Sequence, residues 1–238
     1  MTVQAVLFDL DGTLLPMDQD VFVKAYLKAL AKKLAPYGYE AETLVKAIWG
    51  GTRAMIKNDG SKTNEKAFWD FFSGVFGEKS FEDMPYFDEF YRTDFQGVKD
   101  VCGYNAMATQ TVKRLKNMGV KVALATNPIF PAIATESRMK WAGFSPDDFE
   151  MYTTYENIGY SKPNPEYFRQ VSGVLGIEPE NCLMVGNDVD DDMVAQKLGM
   201  KVFLLTDNLI NKSETDISIF PNGGFEELNR YLDQLLVD

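Results

Sequence analysis

Val3-Gln4-Ala5-Val6-Leu7-Phe8-Asp9-Leu10-Asp11-Gly12-Thr13-Leu14-Leu15 is the stretch on which the reading of this chain turns. Its first half, Val3 to Phe8, is short, mostly apolar and without a 3.6-residue period. Such a run predicts a buried parallel strand rather than a helix. Asp9 and Asp11 follow at once, where open α/β sheets keep their ligand sites. Residues two apart on an extended chain share a side, so both carboxylates can address one substrate. Like charges that close repel unless a cation lies between them or one holds a proton. The pair therefore asks for a metal, an acid role, or both; in isolation Asp-x-Asp-Gly also reads as an ordinary turn with capping aspartates.

Outward from this stretch, the strand pattern stops after Leu15 and returns only at Val120. In between, Val21, Ala25, Leu27, Leu30 and Leu34 mark one helix, closed by Pro36 and Gly38. Leu44, Val45, Ile48 and Met55 mark a second, Phe68, Phe71, Phe72, Val75 and Phe76 a third, and a weak fourth lies near Phe87 to Tyr91. The aromatic stripe, with Trp69 and Trp49, reads as the core of a small bundle rather than a substrate-stacking wall. From Val98 onward helices and strands alternate. Helices are expected over Asn105–Asn117, Pro131–Trp141, from Asn164-Pro165-Glu166, over Asp191–Leu198 and over Phe225–Leu236. Strands are expected over Val120–Ala125, Phe149–Thr153, Cys182–Val185 and Lys201–Leu205. This predicts an α/β fold, a doubly wound Rossmann-like parallel sheet core over residues 1–16 and 97–238, with a small all-helical cap domain inserted at 17–96.

Composition narrows the chemistry. The 238 residues carry a net charge of −11, which argues against nucleic acid and anionic membrane partners. A phosphate site must then be made locally electropositive by a metal, a lysine or helix N-termini. The chain has no histidine, which removes Ser-His-Asp and Cys-His catalysis and His-ligated zinc. Its two cysteines, Cys102 and Cys182, are too far apart in sequence for a C-x-x-C site. The N-terminus lacks the pattern of a secretory signal and no apolar run approaches a membrane span. The expectation is a soluble, reduced, cytoplasmic protein; oligomeric state is not readable from the sequence.

Three further strand ends carry polar residues. Thr126 and Asn127 follow Val120–Ala125, where a hydroxyl and exposed backbone N–H groups can hold phosphoryl oxygens. Lys162 precedes the Pro-opened helix and can reach back over the strand ends as a point charge. Val185-Gly186-Asn187-Asp188-Val189-Asp190-Asp191-Asp192 crowds four carboxylates at one strand end. Some suit a helix N-terminus; the rest ask for a hard cation with oxygen ligands, and beside a phosphate that suits Mg²⁺.

Taken in order, these four motifs resemble those of the haloacid dehalogenase-like superfamily, in its phosphatase branch with a helical cap between the first and second motifs. The resemblance implies Asp9 as nucleophile and Asp11 as general acid/base. It implies Lys162, Thr126, Asn127 and Gly12 around the phosphate, and Mg²⁺ as cofactor near Asp9, Asp11, Asp188 and Asp192. One departure stands out: Asn187 separates Gly186 from the first Asp of the fourth motif, and Asp188 is the preferred metal-facing residue over Asn187. The implied activity is hydrolysis of a small phosphorylated metabolite (phosphoglycolate-, sugar- or nucleotide-monophosphate-like) through an aspartyl-phosphate. A sugar-phosphate mutase of the same superfamily is the alternative, and a non-catalytic phosphate-binding or signalling domain ranks below both. Arg53, Lys57 and Arg92 are possible partners for a second anionic group, although solvation explains them equally well.

Overall fold

The computed structural model describes residues 3–236. Strand β1 (Ala5–Phe8) is fully buried and sits inside a six-stranded parallel sheet. The others are β2 (Lys121–Leu124), β3 (Met151–Tyr152), β4 (Cys182–Gly186), β5 (Lys201–Leu205) and β6 (Asn222–Gly223), in the order β3-β2-β1-β4-β5-β6. The order reverses at β1, with β2 on one side and β4 on the other, which places a crevice at their carboxyl ends. The register fixes that crevice: Phe8 pairs with both Leu124 and Val185. Asp9, Thr126 and Asn187 therefore leave the sheet at nearly the same height.

Alternation along β1 divides the core. Ala5 and Leu7 pack with Tyr167, Phe168 and Val171 of α8 (Pro165–Leu175). Val6 and Phe8 face the opposite layer. That layer holds α6 (Ala106–Asn117), α7 (Ala132–Trp141) and α9 (Phe225–Leu236), represented by Val112, Ala134 and Leu228. Period-two alternation in a strand covered on both faces yields two apolar cores.

Between β1 and α6 the chain forms α1 (Gln19–Leu34), α2 (Ala41–Ile56), α3 (Asn64–Phe76), α4 (Lys79–Glu82) and α5 (Met84–Arg92), then a 3-10 segment over Asp94–Val101. The caps explain the starts: Asp18 accepts from the Val21 N–H at 3.0 Å, and Thr63 from the Lys66 N–H at 3.2 Å. Phe68, Trp69 and Phe72 are buried as the stripe predicts, but Phe71 and Trp49 are exposed. The helical block shares one continuous apolar core with the sheet layer, joined where Phe95 meets Trp141 at 5.0 Å. A polar anchor reinforces the join. Asn64, fully buried, donates to the carbonyls of Pro128 and Tyr160 and to Ser161 Oγ, and accepts from Asn58.

Several boundaries differ from expectation. The run Asp191–Leu198 is a 3-10 helix over Met193–Leu198 only. Asp188 Oδ1 accepts from the N–H groups of Asp190 and Asp191, a local turn that competes with the start of an α-helix. Strand β3 is shorter than Phe149–Thr153. The two-residue β6 and the four-residue α4 went unpredicted, since neither is long enough to show a period.

Candidate active site

At the centre lies an ion triad hung from three different elements. Lys162, just ahead of α8, is 2% exposed. Its Nζ donates to Asp9 Oδ1 at 2.9 Å and to Asp192 Oδ1 at 2.6 Å. Asp192 Oδ2 in turn accepts from the Asp188 N–H at 3.0 Å. Gly186 makes this fold-back possible, for a Cβ there would lie 2.0 Å from Asp192 Oδ2. Burial pushes the Asp9 carboxyl up to about 7 against the pull of Lys162, and the charges of Asp192 and Asp11 add to the rise. For Lys162 burial works against the ammonium, but the carboxylates of Asp192 and Asp9 prevail and hold it well above the usual lysine range.

Asp11 is held differently. One of its oxygens pairs with the guanidinium of Arg138 on α7, and Oδ1 is buried without a partner. Burial raises the Asp11 carboxyl, opposed by Arg138 and Lys162. Arg138 is 0% exposed and stacks over the Phe130 ring at 4.3 Å. The sequence reading did not single it out. The available signal was a charge on the buried stripe of a helix, in line with Ala134 and Trp141.

The turn between the two aspartates and α1 is locked from the fourth motif. Thr13 Oγ1 donates to Asn187 Oδ1 at 2.8 Å, Asn187 Nδ2 donates to the Asn208 carbonyl at 2.7 Å, and Asn208 Nδ2 returns to the Gly12 carbonyl at 3.2 Å. Gly12 has φ +85°, and a Cβ would meet Asn187 Nδ2 at 2.3 Å. Asn187, Asp188 and Asp191 all line the cavity, but both ends of the Asn187 amide are already engaged with protein. Thr126 lines it too, its carbonyl held by the hydroxyls of Thr153 and Tyr167 at 2.6 and 2.9 Å. Asn127 accepts from the Lys162 N–H and donates to Asp191 Oδ2.

The cavity over these groups measures about 530 Å³. Among the described residues, no three acidic or cysteine side chains converge closely enough to enclose a metal by themselves. The side chains of Asp11 and Asp192 face Arg138 and Lys162. Asp188 is raised by burial first, with the charge of Asp192 adding, and Asp191 is raised to about 6 by burial and by Asp188. Among the described residues neither has an ion-pair partner. An acidic, oxygen-only set of this kind fits Mg²⁺, which keeps several waters and needs only one or two carboxylates besides phosphate oxygens.

The family model for haloacid dehalogenase-like hydrolases matches residues 3–199. The chain belongs to that family. Its member here is 26% identical to a phosphoglycolate phosphatase of Psychrobacter arcticus over 242 aligned residues, covering 99% of this chain and 97% of the relative. It is 26% identical to the pyrophosphatase PpaX of Bacillus cereus over 202 residues, covering 84% and 82%. The structure of the haloacid dehalogenase-type hydrolase YfnB of Bacillus subtilis, bound to magnesium, superposes with a TM-score of 0.58 at 19% identity, covering 98% of this chain and 100% of that one. This likeness shows the fold. As a haloacid dehalogenase-like hydrolase the chain is an enzyme, and no helix among its described residues is long and apolar enough to cross a membrane.

Proposed function

We propose that this hydrolase is a Mg²⁺-dependent phosphatase of small phosphate monoesters, working through an aspartyl-phosphate on Asp9, with residues 17–96 as its cap. The observation that carries the reading is Asp9 itself. It stands at the end of the central strand and lines the cavity, and one oxygen is fixed by Lys162. Among the described residues, the other oxygen accepts from no protein group.

In this reading Asp9 Oδ2 attacks phosphorus as the bond from phosphorus to the leaving alkoxide breaks. Asp11 gives its proton to that alkoxide, then takes a proton from the water that attacks the phosphoenzyme. The bond from Asp9 to phosphorus breaks and inorganic phosphate leaves. The partnerless Asp11 Oδ1 is the lone-pair site for that proton. Lys162 neutralises charge beside the transferring group while holding Asp9 still, and Thr126 and Asn127 border the phosphoryl oxygens. Asp9 and Asp188, with the Asp11 carbonyl, would hold Mg²⁺; the ion supplies charge neutralisation for carboxylate and phosphate brought together. The names of the two sequence relatives support phosphoester or phosphoanhydride substrates.

The test is turnover of a panel of phosphate monoesters with Mg²⁺, with mass spectrometry after acid quench. Asp9→Asn should abolish both phosphate release and phosphoenzyme. A rate near the parent's would overturn the assignment.

A further inference from the structure

The walls of the catalytic cavity change character with height. Its floor is ionic, but α1, α2 and the segment after β2 roof it with Val23, Leu27, Trp49, Ile56, Ile129 and Phe130. Trp49 is 43% exposed, an unusual state for an indole that packs beside a protein core. Five of these six residues, all but Ile56, also border a second chamber of about 100 Å³ that runs into the helical block. The deeper walls are Tyr26, Ile48, Phe68, Trp69, Phe87 and Tyr91.

Several polar side chains of this chamber are already matched within the protein. Tyr26 and Tyr91 pair hydroxyl to hydroxyl at 3.1 Å, Thr52 Oγ1 donates to the Ile48 carbonyl at 2.9 Å, and Trp69 Nε1 donates to Tyr155 Oη at 3.4 Å. The one charged group on its wall is Asp88, which repels an anion. Arg53, Lys57 and Arg92, the cap cations singled out in the sequence, are exposed and border neither cavity. The lysines near the mouth, Lys24 and Lys212, are exposed as well. Such a chamber favours carbon over charge.

We infer that the alcohol half of the substrate carries a small apolar body, a single aromatic ring or a short branched alkyl group, which passes between Trp49 and Phe130 into this chamber. The inference rests on the phosphatase reading for the phosphate half. An apolar cavity of about 150 Å³ takes up benzene; at about 100 Å³ this chamber is smaller, so a ring enters it in part and shares the space beneath Trp49 in the catalytic cavity. The substrate class is then aryl-methyl or branched alkyl phosphates, and phosphorylated acids are disfavoured because their carboxylate would enter an apolar wall with no buried cation.

The experiment compares kcat/KM for benzyl phosphate, methyl phosphate and 2-phosphoglycolate on the intact enzyme with Mg²⁺. Benzyl and methyl esters both leave as primary alkoxides, so their ratio reports the chamber rather than leaving-group chemistry. Binding of benzylphosphonate and methylphosphonate, which cannot be hydrolysed at that bond, is measured alongside. The expected result is a benzyl preference over both other esters of roughly tenfold or more, the same order for the phosphonates, and a fall of that ratio toward unity in Leu27→Trp, which fills the passage, and in Trp49→Ala. Equal rates for benzyl and methyl esters, or a preference for 2-phosphoglycolate, would overturn the inference. A tenfold phosphonate preference with no ester hydrolysed would instead sustain the chamber and refute the phosphatase reading.

Discussion

Replacing Arg138 by Met isolates the ion pair behind the acid/base candidate. The guanidinium is wholly buried and its carboxylate partner is Asp11, whose side chain is 16% exposed. Its remaining bonds, to the Ala134 carbonyl and Thr135 Oγ1, are both long at 3.3 Å. Methionine fills much of the volume on a flexible stem, so the cost is chiefly electrostatic. Removing one partner of a buried pair strands the other charge and costs about 3–5 kcal/mol. Asp11 keeps some contact with the cavity, which places the expected loss near the lower end, about 3 kcal/mol. With a urea m-value of about 3 kcal/mol/M, the midpoint of unfolding should fall by about 1 M at unchanged m. The double variant Arg138→Met/Asp11→Asn replaces both charges with neutral groups and should recover at least half of the loss. Equilibrium urea unfolding of the metal-free protein at pH 8, followed by tryptophan fluorescence, reads all of these. A single variant within 1 kcal/mol of the parent on the scale of that coupling, or a double variant no more stable than the single, would refute the reasoning.

Gly186→Ala should be far more damaging than an ordinary glycine substitution. The new methyl meets Asp192 Oδ2, so Lys162 and Asp9 shift with it, costing about 1–3 kcal/mol in unfolding and roughly a hundredfold in kcat/KM. Asp188→Asn should raise the Mg²⁺ concentration for half-maximal rate about tenfold or more, measured by metal titration of activity, whereas Asp190→Asn, on an exposed side chain, should not. The metal-free protein should lose stability as pH rises. Asp9 is raised to about 7 and Asp191 to about 6, so between their unfolded value near 4 and those figures the folded state binds more protons than the unfolded one. The stabilisation is complete at the acid end of that window and gone above it, and added Mg²⁺ should therefore raise the melting temperature more at pH 8 than at pH 5.

The sheet was legible because buried parallel strands are short apolar runs that end in a polar break: Phe8 before Asp9, Ala125 before Thr126, Gly186 before Asn187. Order and register were not written locally, yet they bring Asp9, Thr126, Lys162, Asp188 and Asp192 around one cavity. The division of labour among the carboxylates was hidden. Spacing alone cannot show that Asp192 turns inward to Lys162, that Asp188 closes a local turn, or that Asn187 secures Thr13 and Asn208. Arg138, 127 positions from Asp11, is a partner that only the packing of α7 brings near. The aromatic stripe told its helix but not its exceptions: Trp49 lies on α2, at the cavity, and Phe71 faces outward.

Asn64 bears on how far this enzyme can be rebuilt from parts. Its amide ties the first turn of α3 to the carbonyls of Pro128 and Tyr160 and to Ser161, on the two segments that carry Asn127 and Lys162. A helical insertion transplanted from a relative brings no such tie unless it too sets an amide at that turn. Without one, the buried acceptors lose their donor, and the loops that present Asn127 and Lys162 lose a fastening. The insertion is thus not an exchangeable module. Chimeras that aim to move substrate preference need their junctions drawn around Asn58 and Asn64, or their scaffold loops redesigned together with the graft.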